Sequence, residues 1–253
     1  MLADPLGCRI ICGHVFLYNS INQYEIKIMN SSYQAQIGTK LKIGILFTGL
    51  LTACQMADAQ RSFVNFEKFT LDETMRGGYG VEAADMDGDG LTDIIALSTN
   101  PAQFAWYKNP TWEKYVISTV AQGNIDAAPR DIDGDGDTDI VLASAFNLGA
   151  STEGGLLHWL ENPGNPTVNQ EWEMHYIDEV PTSHRIKWAD INGDGNDELV
   201  NLPIIGVGAT SPLYDVDLQL KAYSVPEDLS VSRWPSVVLN ESLQLSHGLD
   251  IVD

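Results

Sequence analysis

The feature that most constrains this chain is a nine-residue pattern that occurs three times in register: Asp-x-Asp-Gly-Asp-Gly-x-x-Asp. It runs from Asp85 to Asp93, from Asp131 to Asp139 and, with Asn and Glu substituted in, from Asp190 to Glu198. Side-chain oxygens stand at positions 1, 3, 5 and 9: Asp85, Asp87, Asp89 and Asp93; Asp131, Asp133, Asp135 and Asp139; Asp190, Asn192, Asp194 and Glu198. Glycine at positions 4 and 6 lets the backbone turn sharply. A flexible shell of six to eight hard oxygens is what Ca2+ requires. The four side chains, the position-7 carbonyl (Leu91, Asp137 and Asn196) and water meet that number. We therefore expect about three Ca2+ sites.

An EF-hand needs a bidentate Glu at position 12 and a helix on each side. Position 12 here is Ala96, Leu142 and Asn201. Each loop runs straight into a short apolar segment: Ile94–Leu97, Ile140–Ala143 and Leu199–Leu202. Such runs, bounded by turn residues, read as buried strands. Further strands are expected at Phe104–Tyr107, Leu157–Leu160 and Leu220–Tyr223, then at Trp112–Ser118, Trp172–Ile177 and Trp234–Leu239. Four short strands recur per unit, with loop starts separated by 46, 59 and 63 residues, the last counted to Asp253. The fold class read from this is all-β: a partial β-propeller of four-stranded antiparallel blades with calcium loops.

The Asp-x-Asp-Gly-Asp-Gly-x-x-Asp loop followed by an apolar strand resembles FG-GAP/VCBS repeats, as in integrin α-subunit propellers and many secreted bacterial proteins. The resemblance covers about residues 63–253. A narrower stretch, Ser183 through Ala209, resembles the propeller of aldos-2-ulose dehydratases. Those are metal-containing enzymes that eliminate water from anhydrofructose-type sugars and carry cupin domains after the propeller. That resemblance implies His184 as a candidate base and the Ile205–Ser211 loop as a pocket wall.

Charge divides the chain. Residues 1–60 carry 3 acids and 4 bases, whereas residues 61–253 carry 32 acids and 10 bases. Thirteen of those 32 acids lie in the three loops. The overall balance of −21 argues against a nucleic-acid partner, because phosphate contacts need Lys and Arg. Lys40 and Lys42, the apolar run Ile43–Leu51 and then Leu51-Thr-Ala-Cys54 read as a lipoprotein signal over residues 40–59, with Cys54 as the lipidated residue. The alternative is ordinary secretory cleavage after Ala59. Either route exports the chain, to the outer membrane as a lipoprotein or to the periplasm or cell surface. The run is too short to span a bilayer, so the expected membrane attachment is by the lipid only. Residues 1–39 fit neither route and read as an upstream extension from a start site called too early; Cys8, Cys12 and His14 lack a fourth ligand for zinc.

Both ends of the repeat region look cut. Phe66–Leu71 resembles Trp112–Ile117, a last strand of a blade. His247–Asp253 aligns with His184–Asp190, so the chain reaches position 1 of a fourth loop. About three blades, with C-terminal blades or domains missing, is the reading for residues 60–253.

Six residues before each loop stand Tyr79, Ile125, His184 and His247. If the loops join first and second strands, these residues begin the innermost strands and ring the funnel mouth. The long segments Ser144–Gly155 and Ile205–Asp217 reach the same mouth. His184, His247, Arg185 and Tyr79 suit proton abstraction next to a carbonyl, with His as base, Arg on the anion and Tyr as acid. With Asp126 added, the same group suits an additional catalytic metal. His158, His175, Trp106, Trp159 and Trp188 read as packing groups rather than sugar platforms. Two functions follow. One is a carbohydrate-active propeller, dehydratase- or lyase-like, acting on a small sugar. The other is a calcium-stabilised adhesion module without chemistry.

Overall fold

A computed structural model of the protein describes residues 66–168 and 170–252, all within the compact unit Val64–Asp253. The signal segment, Cys54, Cys8, Cys12 and Asp253 lie outside the described residues. Among the described residues, twelve strands form three separate four-stranded antiparallel sheets. The first blade is β1 (Gly78–Ala84), β2 (Asp93–Thr99), β3 (Ala102–Lys108) and β4 (Glu113–Ser118). The second is β5 (Asp126–Arg130), β6 (Asp139–Ser144), β7 (Leu156–Glu161) and β8 (Glu173–Glu179). The third is β9 (Ser183–Ala189), β10 (Glu198–Pro203), β11 (Leu218–Tyr223) and β12 (Ser236–Leu243). Within each blade the strands pair in chain order. No described helix is long and apolar enough to cross a membrane.

The second strands explain the stacking of blades. β6 is buried along its whole length, and its side chains alternate between two cores. Ile140 and Leu142 pack with Leu97, Phe104, Trp106 and Ile117 of the first blade. Val141 and Ala143 pack with Ile186, Leu199 and Tyr223 of the third. A strand covered on both faces must be apolar throughout, which is why these runs show no polar alternation in the sequence. The strands β1, β5 and β9 are in contact in that order, so the first strands lie on the side where the blades meet.

The tryptophans serve the blade cores. Trp106 and Trp159 are buried, and Trp106 Nε1 donates to Pro166 O at 3.3 Å. Trp188 Nε1 donates to Ala128 O at 3.2 Å, joining the third blade to the second.

Two segments depart from the sequence expectation. Residues 66–71 form no strand, and Phe66 and Phe69 are exposed. Their homologue Trp112–Ile117 pairs with the third strand of its own blade; β4 already occupies that edge of β3, so residues 66–71 have no partner there. Residues 247–252 likewise remain outside strands. A first strand pairs only with the second strand of its blade, and no such partner for this segment is among the described residues.

Candidate functional site

The three acidic loops join β1 to β2, β5 to β6 and β9 to β10 at one end of the blades. Their glycines are required by backbone angle rather than by crowding. Gly88, Gly90, Gly134, Gly136, Gly193 and Gly195 all have φ between 71° and 97°, and an added Cβ on any of them would meet nothing. The position-1 carboxylate accepts the position-6 N–H in every loop: Asp85 from Gly90 at 2.8 Å, Asp131 from Gly136 at 3.1 Å and Asp190 from Gly195 at 2.9 Å.

Position 9 has a structural duty of its own. Asp93, Asp139 and Glu198 are buried. Each accepts the N–H of position 2, from Met86 at 2.9 Å, Ile132 at 3.0 Å and Ile191 at 3.2 Å. Asp93 and Asp139 also accept the N–H of Asn109 at 2.7 Å and Asn162 at 2.8 Å, the residues that follow β3 and β7. The pairs Asn109-Pro110 and Asn162-Pro163 thus tie the third strand to the loop. Burial pushes the carboxyls of Asp93 and Asp139 above the usual range, against the pull of these N–H donors.

The loops fit a hard cation to different degrees. In the first, Asp85, Asp87 and Asp93 bring carboxylate oxygens within 4.8 Å of one another; in the second, Asp131, Asp133 and Asp139 do the same. Asp87 Oδ1 is buried without a hydrogen-bond partner. In the third, Asn192 replaces the second carboxylate and donates Nδ2–H to Glu198 Oε1 at 2.8 Å. The all-carboxylate sets of the first two loops are of the kind that suits a hard cation such as Ca2+. The first loop carries one feature the motif does not announce. Lys108 at the end of β3 lays its ammonium on Asp87 and, at 2.6 Å, on Asp89. This contact holds the Asp89 carboxyl low and raises the lysine.

At the opposite end, the funnel mouth collects the residues singled out from sequence. Tyr79 on β1 and His184 on β9 are joined by a 2.6 Å hydrogen bond between the phenol and Nε2, across 105 residues. His247 stacks obliquely on His184 with centroids 4.6 Å apart, and Phe146 covers another side at 5.5 Å. The Arg185 guanidinium lies over the Tyr79 ring at 5.2 Å and is 3.8 Å from Asp126 Oδ1. Asp126 is itself fixed by the Ile186 N–H at 2.9 Å, and burial raises its carboxyl.

These groups differ in access. His184 is 1% exposed, while Tyr79 is 43% exposed and His247 faces solvent. Burial first, then the charge of Arg185 and the proximity of His247, lower His184 to about 4. It is therefore neutral near pH 7 and able to accept the Tyr79 hydroxyl. The long connections meet at this end as well. Ser151 Oγ donates to Ala209 O at 2.7 Å and Gly208 N to Ser151 O at 3.1 Å. Ile205, Gly206 and Val207 line a cleft with Glu179, Asp217 and Lys221, and Ile204 and Ile205 pack with Phe146.

Residues 85–142 and 131–200 each match the family model described as FG-GAP-like repeat. Residues 85–200 form an FG-GAP repeat domain. The two FG-GAP matches overlap over the second loop and β6, so the family repeat is counted from loop to loop while the blade is counted from inner strand to outer strand. No curated protein matches the chain.

Sequence reasoning identified both ends of the blades but missed Lys108 and the His175–Glu161 contact, 2.9 Å. Lys108 lies 15 residues past its loop, and only strand pairing shows that it folds back over it.

Proposed function

We propose that the chain is the calcium-binding β-propeller of an exported, carbohydrate-active protein, with calcium in the three acidic loops and sugar at the funnel mouth. The observation that carries this reading is the convergence of carboxylate oxygens in the first two loops around a backbone held by positive-φ glycines. When bound, Ca2+ would offset the mutual repulsion of these carboxylates. The protein's own contribution is to hold each loop open through positions 1 and 9. Isothermal titration of the full chain with millimolar Ca2+ tests it: binding with loss in Asp131→Ala is expected, and no heat from a folded sample would overturn the calcium reading.

The Tyr79–His184 hydrogen bond favours chemistry at the mouth over passive binding. A half-exposed phenol, backed by a neutral imidazole and flanked by Arg185, is an arrangement for handling a proton at a sugar carbonyl. Arg185 would hold developing negative charge, and His247 is the histidine open to ligand. This follows the dehydratase- or lyase-like expectation from the Ser183–Ala209 resemblance. Turnover of an anhydrofructose-type sugar by the full-length protein should be abolished in Tyr79→Phe/His247→Ala. Unchanged turnover would overturn this site assignment; no turnover by the parent would leave adhesion without catalysis as the reading, with lipid attachment through Cys54 as its proposed route to the surface.

A further inference from the structure

The second blade carries a cluster outside both sites. Glu161 ends β7, Glu173 is its direct cross-strand partner on β8, and His175 pairs with Trp159. Alternation along the strands puts Trp159, Glu161, Glu173 and His175 on one face. One ligand atom from each of Glu161, Glu173 and His175 lies within 4.8 Å of the others. His175 Nε2 is 2.9 Å from Glu161 Oε2. The imidazole is stacked on Trp159, with centroids 4.3 Å apart and planes 26° apart. That stack fixes the ring plane, and hence the direction of Nε2.

The first blade shows what this corner does when it is filled by the protein itself. There Lys108 pairs with Glu113, and Tyr115 stacks on Trp106 at 4.9 Å. Lys108 places an ammonium at the corner, bonded to the neighbouring loop. The second blade has a carboxylate in place of the ammonium and an imidazole in place of the phenol. A built-in cation is lost and two ligating groups are gained. Among the described residues, no Lys or Arg forms an ion pair with Glu161 or Glu173.

We propose that Glu161, Glu173 and His175 form a site for a divalent transition ion of the zinc class, distinct from the calcium loops. Imidazole nitrogen selects zinc, copper or nickel over calcium, and two carboxylates complete a three-ligand set of the kind that leaves a position open. Ligands about 2.1 Å from an ion stand roughly 3 to 3.5 Å from one another, so the observed spacing closes by small side-chain rotations. The ligands come from two paired strands, which gives the site a rigid base.

The test is Zn2+ titration of the full chain in millimolar Ca2+, which occupies the loops. Glu161→Gln and His175→Ala should each lose one Zn2+ equivalent relative to the parent, or weaken it at least tenfold. Glu161→Gln keeps the shape of the side chain and the Trp159 stack, so its loss is not a folding failure; far-ultraviolet circular dichroism checks this. Comparison with the parent also separates this site from zinc held by the thiols of Cys8, Cys12 or Cys54, which every form shares. Equal stoichiometry and affinity in the parent and both variants would overturn the proposal.

Discussion

In the first blade, Lys108 folds back onto Asp87 and Asp89; in the second, the equivalent strand end carries Glu161, beside Glu173 and His175. The surrounding backbone is the same. Both loops use positive-φ glycines, and both position-9 carboxylates accept the N–H that follows the third strand. The difference teaches that loop shape and charge balance are set separately. Two carboxylates about 4 Å apart repel by roughly 1 to 4 kcal/mol, depending on how much water screens them. The first blade meets part of that cost internally. On the calcium reading proposed above, the second would depend on ions from solution.

The largest effect should come from chelation of the full chain. Hydrogen exchange is expected to rise by more than tenfold at Gly134 and Gly136 in the second loop, and by much less at Asp89 and Gly90, which sit in the Lys108-bridged loop. Equal deprotection in the two loops would break the comparison. Next in size is the effect of moving the charge. Glu161→Lys brings an ammonium to the second corner and should lower Ca2+ affinity there by about tenfold, with less sensitivity to chelation; calorimetry with Asp131→Ala as reference checks it. Lys108→Met should act in the opposite sense, raising Ca2+ affinity at the first loop severalfold. An unchanged isotherm would mean that the ammonium does not compete with the ion.

The smallest effect lies at the other end of the blades and should be blind to both swaps. His184 is lowered in the folded protein to about 4 from an ordinary value near 6.5. The unfolded chain therefore takes up a proton first as pH falls. Stability from this group is fully present above about 6.5 and is lost progressively as pH drops toward 4. Denaturation midpoints measured between pH 7 and 5 should fall, and His184→Gln should flatten that slope while Glu161→Lys leaves it intact.

Much of this was legible in the residues. Ile140–Ala143 shows a strand without polar alternation, and β6 is buried on both faces because it separates two blade cores. The loops were legible because their oxygen side chains and obligatory turn glycines are contiguous in the chain. The expectation that His184 and His247 are neighbours rested on counting six residues before each loop, and their rings meet. Less legible was access. His184 and His247 occupy the same position in the repeat, yet one is covered by Phe146 and Tyr79 while the other faces solvent. Burial depends on what neighbouring blades place overhead, and periodicity carries no record of that.

By itself the sequence determined the repeat, the strand order within each blade, the turn glycines and the acidic side chains of the loops, because each depends on residues close together in the chain. Tertiary structure alone decided which carboxylates have a lysine over them, which histidine is shielded, and that Glu161, Glu173 and His175 share a face. Those outcomes depend on pairing between strands and packing between blades, where residues 14 to 105 positions apart come within hydrogen-bonding distance.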